Sequence, residues 1–290
     1  MSDIKKKEVF ALIGDPVGHS ASFCMHNAAF KALGIDAVYV PFRVLARDLK
    51  RAFIGVRALD IRGLNITIPY KEKCMKFLDK IDKYAQKIGA VNTVLNRDGK
   101  LIGYNTDSDG FIDSLKKDKD INPKGKNIFI MGAGGAGRAV SFGLCKNRAC
   151  GITLVDIKDY KAKRLKEDLS RHYPACNIQS ILYTDKIKIK DAISNSDIFV
   201  NATGLGLRPD DPSVIDIDFL DSHLLVCDLI YNPPLPPLLK EARKKRLRIL
   251  NGEGMLLYQA IRAFRLWTKV IPPENIMKKA LKSFLKNKPR

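Results

Sequence analysis

The stretch Asn127-Ile-Phe-Ile-Met-Gly132-Ala-Gly134-Gly135-Ala-Gly137-Arg138 constrains this chain more than any other, because it reads as a buried strand running into a glycine-rich turn and then a helix. Gly132 allows the tight turn, Gly134 lets backbone N–H groups approach a pyrophosphate, and Gly137 lets the new helix lie against the strand. Residues 139–144 continue with helical character. A second strand-like run, 151–155, ends in Asp156, roughly 20 residues past the glycines, where an acid grips a ribose diol. The pattern predicts a dinucleotide-binding unit. An ordinary tight strand-to-helix turn is the competing explanation, which the full pattern outweighs.

The rest of the chain permits a second domain. Of 290 residues, 46% are hydrophobic and 28% charged, ordinary for a globular protein with ample cores. The apolar run 9–13 is too short for a signal peptide and meets Gly14-Asp15-Pro16 at once, and no run approaches the roughly 18 residues of a membrane span, so a cytoplasmic protein is expected. Cysteines at 24, 74, 145, 150, 176 and 227 form no CxxC pair and lie mostly in apolar segments, as reduced core thiols do. His19 and His26 flank a helix start with no third ligand at metal spacing, so both read as satisfied structural histidines and no metal is expected. A net charge of +20 makes nucleic-acid binding a rival, but the Lys and Arg residues are spread over many helix faces, without a nucleic-acid module or interleaved aromatics. A solvated basic surface that favours small anions explains them, and neither nucleic acid nor membrane is an expected partner.

Element order predicts an α/β fold in two domains. Residues 1–115 alternate strand (9–14), helix (23–33, closed by Gly34), strand (38–42), helix (47–59) and strand (63–67), then a hairpin of 92–95 and 100–104 turning at Asn96-Arg97-Asp98-Gly99. A Rossmann domain is expected at 116–252, its strand–helix alternation starting at 127 after a turn-rich connector at 122–126, with later strands at 198–201, 224–229 and 248–250. Helices at 255–268 and 273–285 form a C-terminal segment, 253–290, expected to pack back on the first domain.

Three polar clusters stand at strand ends, where α/β folds place their sites. Gly18-His19-Ser20-Ala21-Ser22 offers two hydroxyls at a helix start, suited to a carboxylate, although either serine could merely cap the helix. In Asn65-Ile66-Thr67-Ile68-Pro69-Tyr70-Lys71 a strand ends, proline blocks its continuation, and a lysine begins the next helix, a position its charge disfavours. Gly103-Tyr104-Asn105-Thr106-Asp107 puts an acid at the start of the connecting helix, either as an N-cap or as a partner to Lys71 in moving an alcohol proton.

Taken together, and with Gly89-Ala90-Val91-Asn92-Thr93, Asn201-Ala202-Thr203-Gly204, Asp228-Leu229-Ile230-Tyr231-Asn232-Pro233 and Gly254-Met255-Leu256-Leu257-Tyr258-Gln259-Ala260, these motifs make the chain similar, almost end to end, to the shikimate/quinate dehydrogenase family. The resemblance implies an N-terminal substrate-binding catalytic domain and a Rossmann domain, and the reversible NAD(P)-dependent interconversion of 3-dehydroshikimate and shikimate on the route to chorismate and aromatic amino acids. It implies Lys71 and Asp107 as the catalytic pair. Ser20 and Ser22 would bind the substrate carboxylate, and Thr67, Asn92, Asp107 and Gln259 its ring hydroxyls, with Tyr231 bordering nicotinamide and substrate. The cofactor set would be Gly132, Ala133, Gly134, Gly135, Ala136, Gly137, Asp156, Lys158, Asn201, Thr203, Gly204 and Gly254.

The chain departs from the family's pattern twice. Phe23 replaces a frequent proline without touching the hydroxyls. Asp156-Ile157-Lys158 stands where NADP-dependent relatives commonly have Asn-Arg-Thr, and a carboxylate there accepts bonds from a ribose diol and repels a 2′-phosphate, so NAD is the expected cofactor. Lys158, Lys161, Lys163 and Arg164 keep NADP possible. A quinate-preferring dehydrogenase and a non-catalytic ligand sensor are the alternatives, and the protein is expected to be a monomer or homodimer.

Overall fold

The computed structural model describes residues 7–18, 20–208 and 210–286, so His19 lies outside the described residues. The chain divides into two compact units, Met1–Thr106 with Gln259–Arg290, and Asp107–Tyr258.

The first unit holds a six-stranded sheet of β1 (Glu8–Gly14), β2 (Ala37–Arg43), β3 (Gly63–Ile66), β4 (Lys80–Ile81), β5 (Thr93–Arg97) and β6 (Lys100–Tyr104), in the order β2-β1-β3-β5-β6-β4. β1 is parallel to both its neighbours, and Phe10, Ala11, Leu12 and Ile13 are all buried, as a strand covered on both faces requires. Helices α1 (Ser22–Ala32), α2 (Leu49–Ala58) and α3 (Lys83–Ile88) connect these strands. The hairpin β5–β6 turns on two residues, Asp98 and Gly99, both at positive φ, which matches the twist of the strands. Asn96 and Arg97 are therefore strand residues rather than turn residues, and Asn96 Oδ1 accepts the Gly99 N–H at 2.9 Å. α3 carries its own stop signals: Asp82 accepts from the Tyr84 and Ala85 N–H groups at its start, and Gly89 closes it at φ 72°.

Two further helices, α9 (Glu253–Thr268) and α10 (Glu274–Lys286), return the chain to this unit from Gln259 onward. Trp267 of α9 packs at a tilt on Phe10, ring centroids 5.2 Å apart, and donates its indole N–H to the Val94 carbonyl at 2.9 Å. A Cβ at Gly63 would lie 2.5 Å from that indole nitrogen, so only glycine admits the ring. α10 packs on α1, and Phe23 meets Phe284 edge-on at 5.5 Å, an aromatic contact that proline at 23 would forfeit. His26 is fully buried, parallel to Tyr39 at 4.6 Å, and neither ring nitrogen has a hydrogen-bond partner; it is an aromatic-core residue, not the satisfied histidine expected. Burial pushes its imidazole down to about 3.

The second unit is a parallel sheet of β7 (Asn127–Met131), β8 (Gly151–Val155), β9 (Asn177–Ser180), β10 (Ile198–Asn201), β11 (Leu225–Asp228) and β12 (Arg248–Leu250), in the order β12-β11-β10-β7-β8-β9. This is the doubly wound nucleotide-binding order, with the direction of winding reversing between β7 and β10. Its helices are α4 (Asp107–Lys119), α5 (Gly135–Lys146), α6 (Asp159–His172), α7 (Lys186–Ser194) and α8 (Pro237–Lys244). The expected boundary after residue 115 falls inside α4. That whole helix belongs to the second unit, because Ser108 packs so tightly on α5 that a Cβ at Gly143 would lie 2.8 Å from its hydroxyl. Among the described residues, no helix is long and apolar enough to cross a membrane, and no three metal-binding side chains cluster.

Candidate active site

In the first unit, α1 begins at Ser22 with Ala21 at the N-cap, so no side chain caps the helix. Ser20 Oγ instead accepts the Ser22 N–H at 3.2 Å and donates to Ser22 Oγ at 3.1 Å, which pairs the two hydroxyls at the helix start.

β3 ends in Asn65 and Ile66, and Thr67 continues the path by donating its N–H to the Ile13 carbonyl at 2.9 Å. Lys71 does not begin an α-helix as expected. Tyr70 donates back to the Thr67 carbonyl, so the chain turns, and only a 3₁₀ segment, Lys73–Phe77, follows. The helix-terminus argument therefore does not apply to Lys71. It is half-buried, and its carbonyl accepts the Val91 N–H at 2.8 Å, which anchors it beside Asn92 and the start of β5.

Asn92 is the hub of a buried polar network. Its Oδ1 accepts from the Thr106 N–H at 2.8 Å and from Thr93 Oγ1 at 3.0 Å, and its Nδ2 donates to Thr106 Oγ1 at 3.0 Å and Gln259 Oε1 at 3.3 Å. The network brings together two predicted residues, Asn92 and Gln259, from positions 167 apart in sequence. It recruits Asn65, Thr93 and Thr106, which sequence reasoning assigned no role; the available signal was small polar residues at or beside the ends of strands. Thr106 directly precedes Asp107, the buried first residue of α4, where a carboxylate also suits the helix dipole.

In the second unit the glycine turn joins β7 to α5. Gly132 has φ 104°, and a Cβ there would lie 2.8 Å from the Ala202 backbone; a Cβ at Gly137 would lie 2.0 Å from the Gly132 carbonyl oxygen. Gly134 caps α5 without a side chain, and a Cβ built on it meets nothing within 4 Å. The turn thus leaves space over the helix N-terminus and its N–H groups, which fits a pyrophosphate. Asp156 follows β8 and spans the turn: its Oδ2 accepts the Ala133 N–H at 2.7 Å and its Oδ1 the Lys158 N–H at 2.8 Å. Asn201 Oδ1 accepts from both the N–H and the hydroxyl of Thr203, and its Nδ2 donates to Asp228 Oδ2 at 3.0 Å. Burial pushes the Asp228 carboxyl up to about 6, and its Oδ1 holds the Ile230 N–H just before half-buried Tyr231. Gly254 has a packing reason of its own: a Cβ there would lie 2.0 Å from Asp118 Oδ2 and 2.2 Å from Ser114 Oγ.

Residues 12–94 match the shikimate dehydrogenase substrate binding domain, and residues 252–282 the shikimate 5′-dehydrogenase C-terminal domain. The NADP(+) shikimate dehydrogenase of Methanocaldococcus jannaschii is 45% identical over 280 residues, 95% of this chain and 96% of that protein. The chain belongs to the shikimate dehydrogenase family. Among solved structures of that family, the Listeria monocytogenes shikimate 5-dehydrogenase bound to shikimate and NAD aligns with TM-score 0.86 at 36% identity, over 95% of this chain and 96% of that one. Quinate dehydrogenase from Corynebacterium glutamicum, solved with NAD, also reaches TM-score 0.86, at 31% identity over 96% and 99% of the two chains.

Proposed function

We propose that this chain is a shikimate dehydrogenase, interconverting 3-dehydroshikimate and shikimate reversibly with a nicotinamide dinucleotide. The observation that carries the reading is the Asn92 network, which gathers Thr93, Thr106 and Gln259 around one buried amide in a chain that also carries the Rossmann glycine turn.

The paired hydroxyls of Ser20 and Ser22 hold the ring carboxylate, and Thr67, Asn92 and Gln259 hold ring hydroxyls. Lys71 and Asp107 take the proton of the C3 hydroxyl as the alcohol is oxidised and return it when the ketone is reduced. The dinucleotide, when bound, accepts or supplies the hydride. Gly132 to Gly137 would hold its pyrophosphate, Asn201, Thr203 and Gly204 would line it, and Tyr231 would border the nicotinamide.

NAD is the favoured form. Asp156 is fixed by Ala133 and Lys158 at the end of β8, which leaves a full negative charge where a 2′-phosphate would sit. The basic residues around it, Lys158, Lys161, Lys163 and Arg164, keep some turnover with NADP. Cysteine usage without CxxC pairs supports a cytoplasmic location.

Steady-state rates with shikimate and quinate, each with NAD and NADP, test the reading. The expected order puts shikimate with NAD first; no turnover with any of the four combinations in folded protein refutes it, and a preference for quinate selects the sister activity.

A further inference from the structure

The buried amides of the first unit form a single chain whose polarity the backbone fixes at two points. Asn65 Nδ2 donates to the Asn92 carbonyl at 3.1 Å, a group that only accepts, so Asn65 Oδ1 must face the other way, where it takes the Tyr39 hydroxyl proton at 2.8 Å. At the far end, the Thr106 N–H only donates, so Asn92 must present Oδ1 to it and turn Nδ2 toward Gln259 Oε1. Thr93 Oγ1 joins the two halves: it accepts from Asn65 Nδ2 at 3.2 Å and donates to Asn92 Oδ1 at 3.0 Å. Tyr39, Asn65, Thr93 and Asn92 are all less than 5% exposed, so an amide that rotates meets a like group rather than solvent. The stack of His26 on the Tyr39 ring keeps the hydroxyl from swinging away.

We propose that Tyr39 is a positioning residue for the substrate: by holding Asn65 it sets Asn92, and Asn92 sets Gln259 with Oε1 turned inward and its Nε2 amide donor presented to a ligand hydroxyl oxygen. Tyr39 itself touches no ligand. The inference rests on the substrate site proposed above.

Tyr39→Phe tests it, since the ring and its stack remain and only the hydroxyl is lost. Asn65 Oδ1 then loses its tyrosine donor, and the relay to Gln259 loosens. The expected result is a rise of about tenfold in KM for shikimate, the scale of one lost buried hydrogen bond, with kcat within about twofold and KM for the dinucleotide unchanged, the signature of weakened uniform binding. The double variant Tyr39→Phe/Asn92→Ala is expected to raise KM no further than Asn92→Ala alone, because the hydroxyl acts through that side chain. A merely structural role would lower the active fraction, and so kcat, or the urea midpoint, and leave KM in place.

Unchanged KM in Tyr39→Phe, or a fall in kcat alone, overturns the inference while a raised KM in Gln259→Ala leaves the substrate site standing. Unchanged KM in Gln259→Ala removes the substrate site itself, and the inference with it. Should Tyr39→Phe show no cooperative urea transition, Thr93→Val decides in its place, by the same rise in KM or its absence.

Discussion

Thr106 gives its backbone N–H to Asn92 Oδ1 at 2.8 Å, and the next residue is Asp107. One side chain thus fixes the backbone next to Asp107, the acid proposed for proton transfer. Asn92→Ala would leave that N–H buried without an acceptor, a loss of about 1–3 kcal/mol in stability. It should also raise KM for shikimate, and urea titration with steady-state kinetics measures both.

Lys71 sits in a turn, not at a helix end, so its replacement interrupts no α-helix. Lys71→Ala should lower kcat by about 10²- to 10⁴-fold, the usual worth of a positioned proton-transfer group, with an unaltered urea midpoint. Near-normal turnover would remove it from the reaction.

Gly134 and Gly137 allow the proposed cofactor site to be tested apart from folding. Gly137→Ala would force a Cβ against the Gly132 carbonyl oxygen and should cost about 3 kcal/mol in stability. Gly134→Ala meets no protein atom, and its φ of −77° suits any residue, so stability should stay within about 0.5 kcal/mol. Its KM for the dinucleotide should nevertheless rise, because the new methyl group would occupy the pyrophosphate's space. An unaltered KM would place the phosphates elsewhere.

Asp156 combines a negative charge with an anchor for Ala133. Asp156→Asn keeps an acceptor for the Ala133 N–H while removing the charge. It should shift the ratio of kcat/KM for NADP over NAD upward by about tenfold or more, within the roughly 1–4 kcal/mol of a charge pair between bulk water and a protein surface. A wild-type preference for NADP would refute the carboxylate's role.

His26 ties stability to acid. Its pKa is 6.5 when unfolded and about 3 when folded, so between those values the unfolded chain binds a proton that the folded chain refuses. Its contribution is intact above about 6.5 and drains as pH falls toward about 3. His26→Phe keeps an aromatic ring in the cluster, and comparing urea midpoints at about pH 7 and pH 4.5 should show the variant losing about 2–3 kcal/mol less than the parent. Equal losses would mean that His26 takes up its proton without unfolding.

Local pattern revealed much of this fold. The glycine turn and Asp156 located the nucleotide unit, and strands 198–201 and 248–250 stand where their apolar runs indicated. β9 was not legible, because Asn177–Ser180 is an edge strand with only Ile178 buried. The Lys71 segment misled because a strand end followed by proline suits a helix start and a 3₁₀ turn equally. The Asn92 network was half legible: its members stand in recognisable motifs, but bonds between residues 14, 28 and 167 positions apart follow no local period.

Trp267 is the chain's single tryptophan, and its indole is clamped between Gly63, Phe10 and the Val94 carbonyl. Nature has left the dinucleotide-binding half without this fluorophore, so intrinsic emission at long excitation wavelengths watches the melting of one unit only. A thermal scan read by that emission and by calorimetry would therefore separate the two halves without any engineered label.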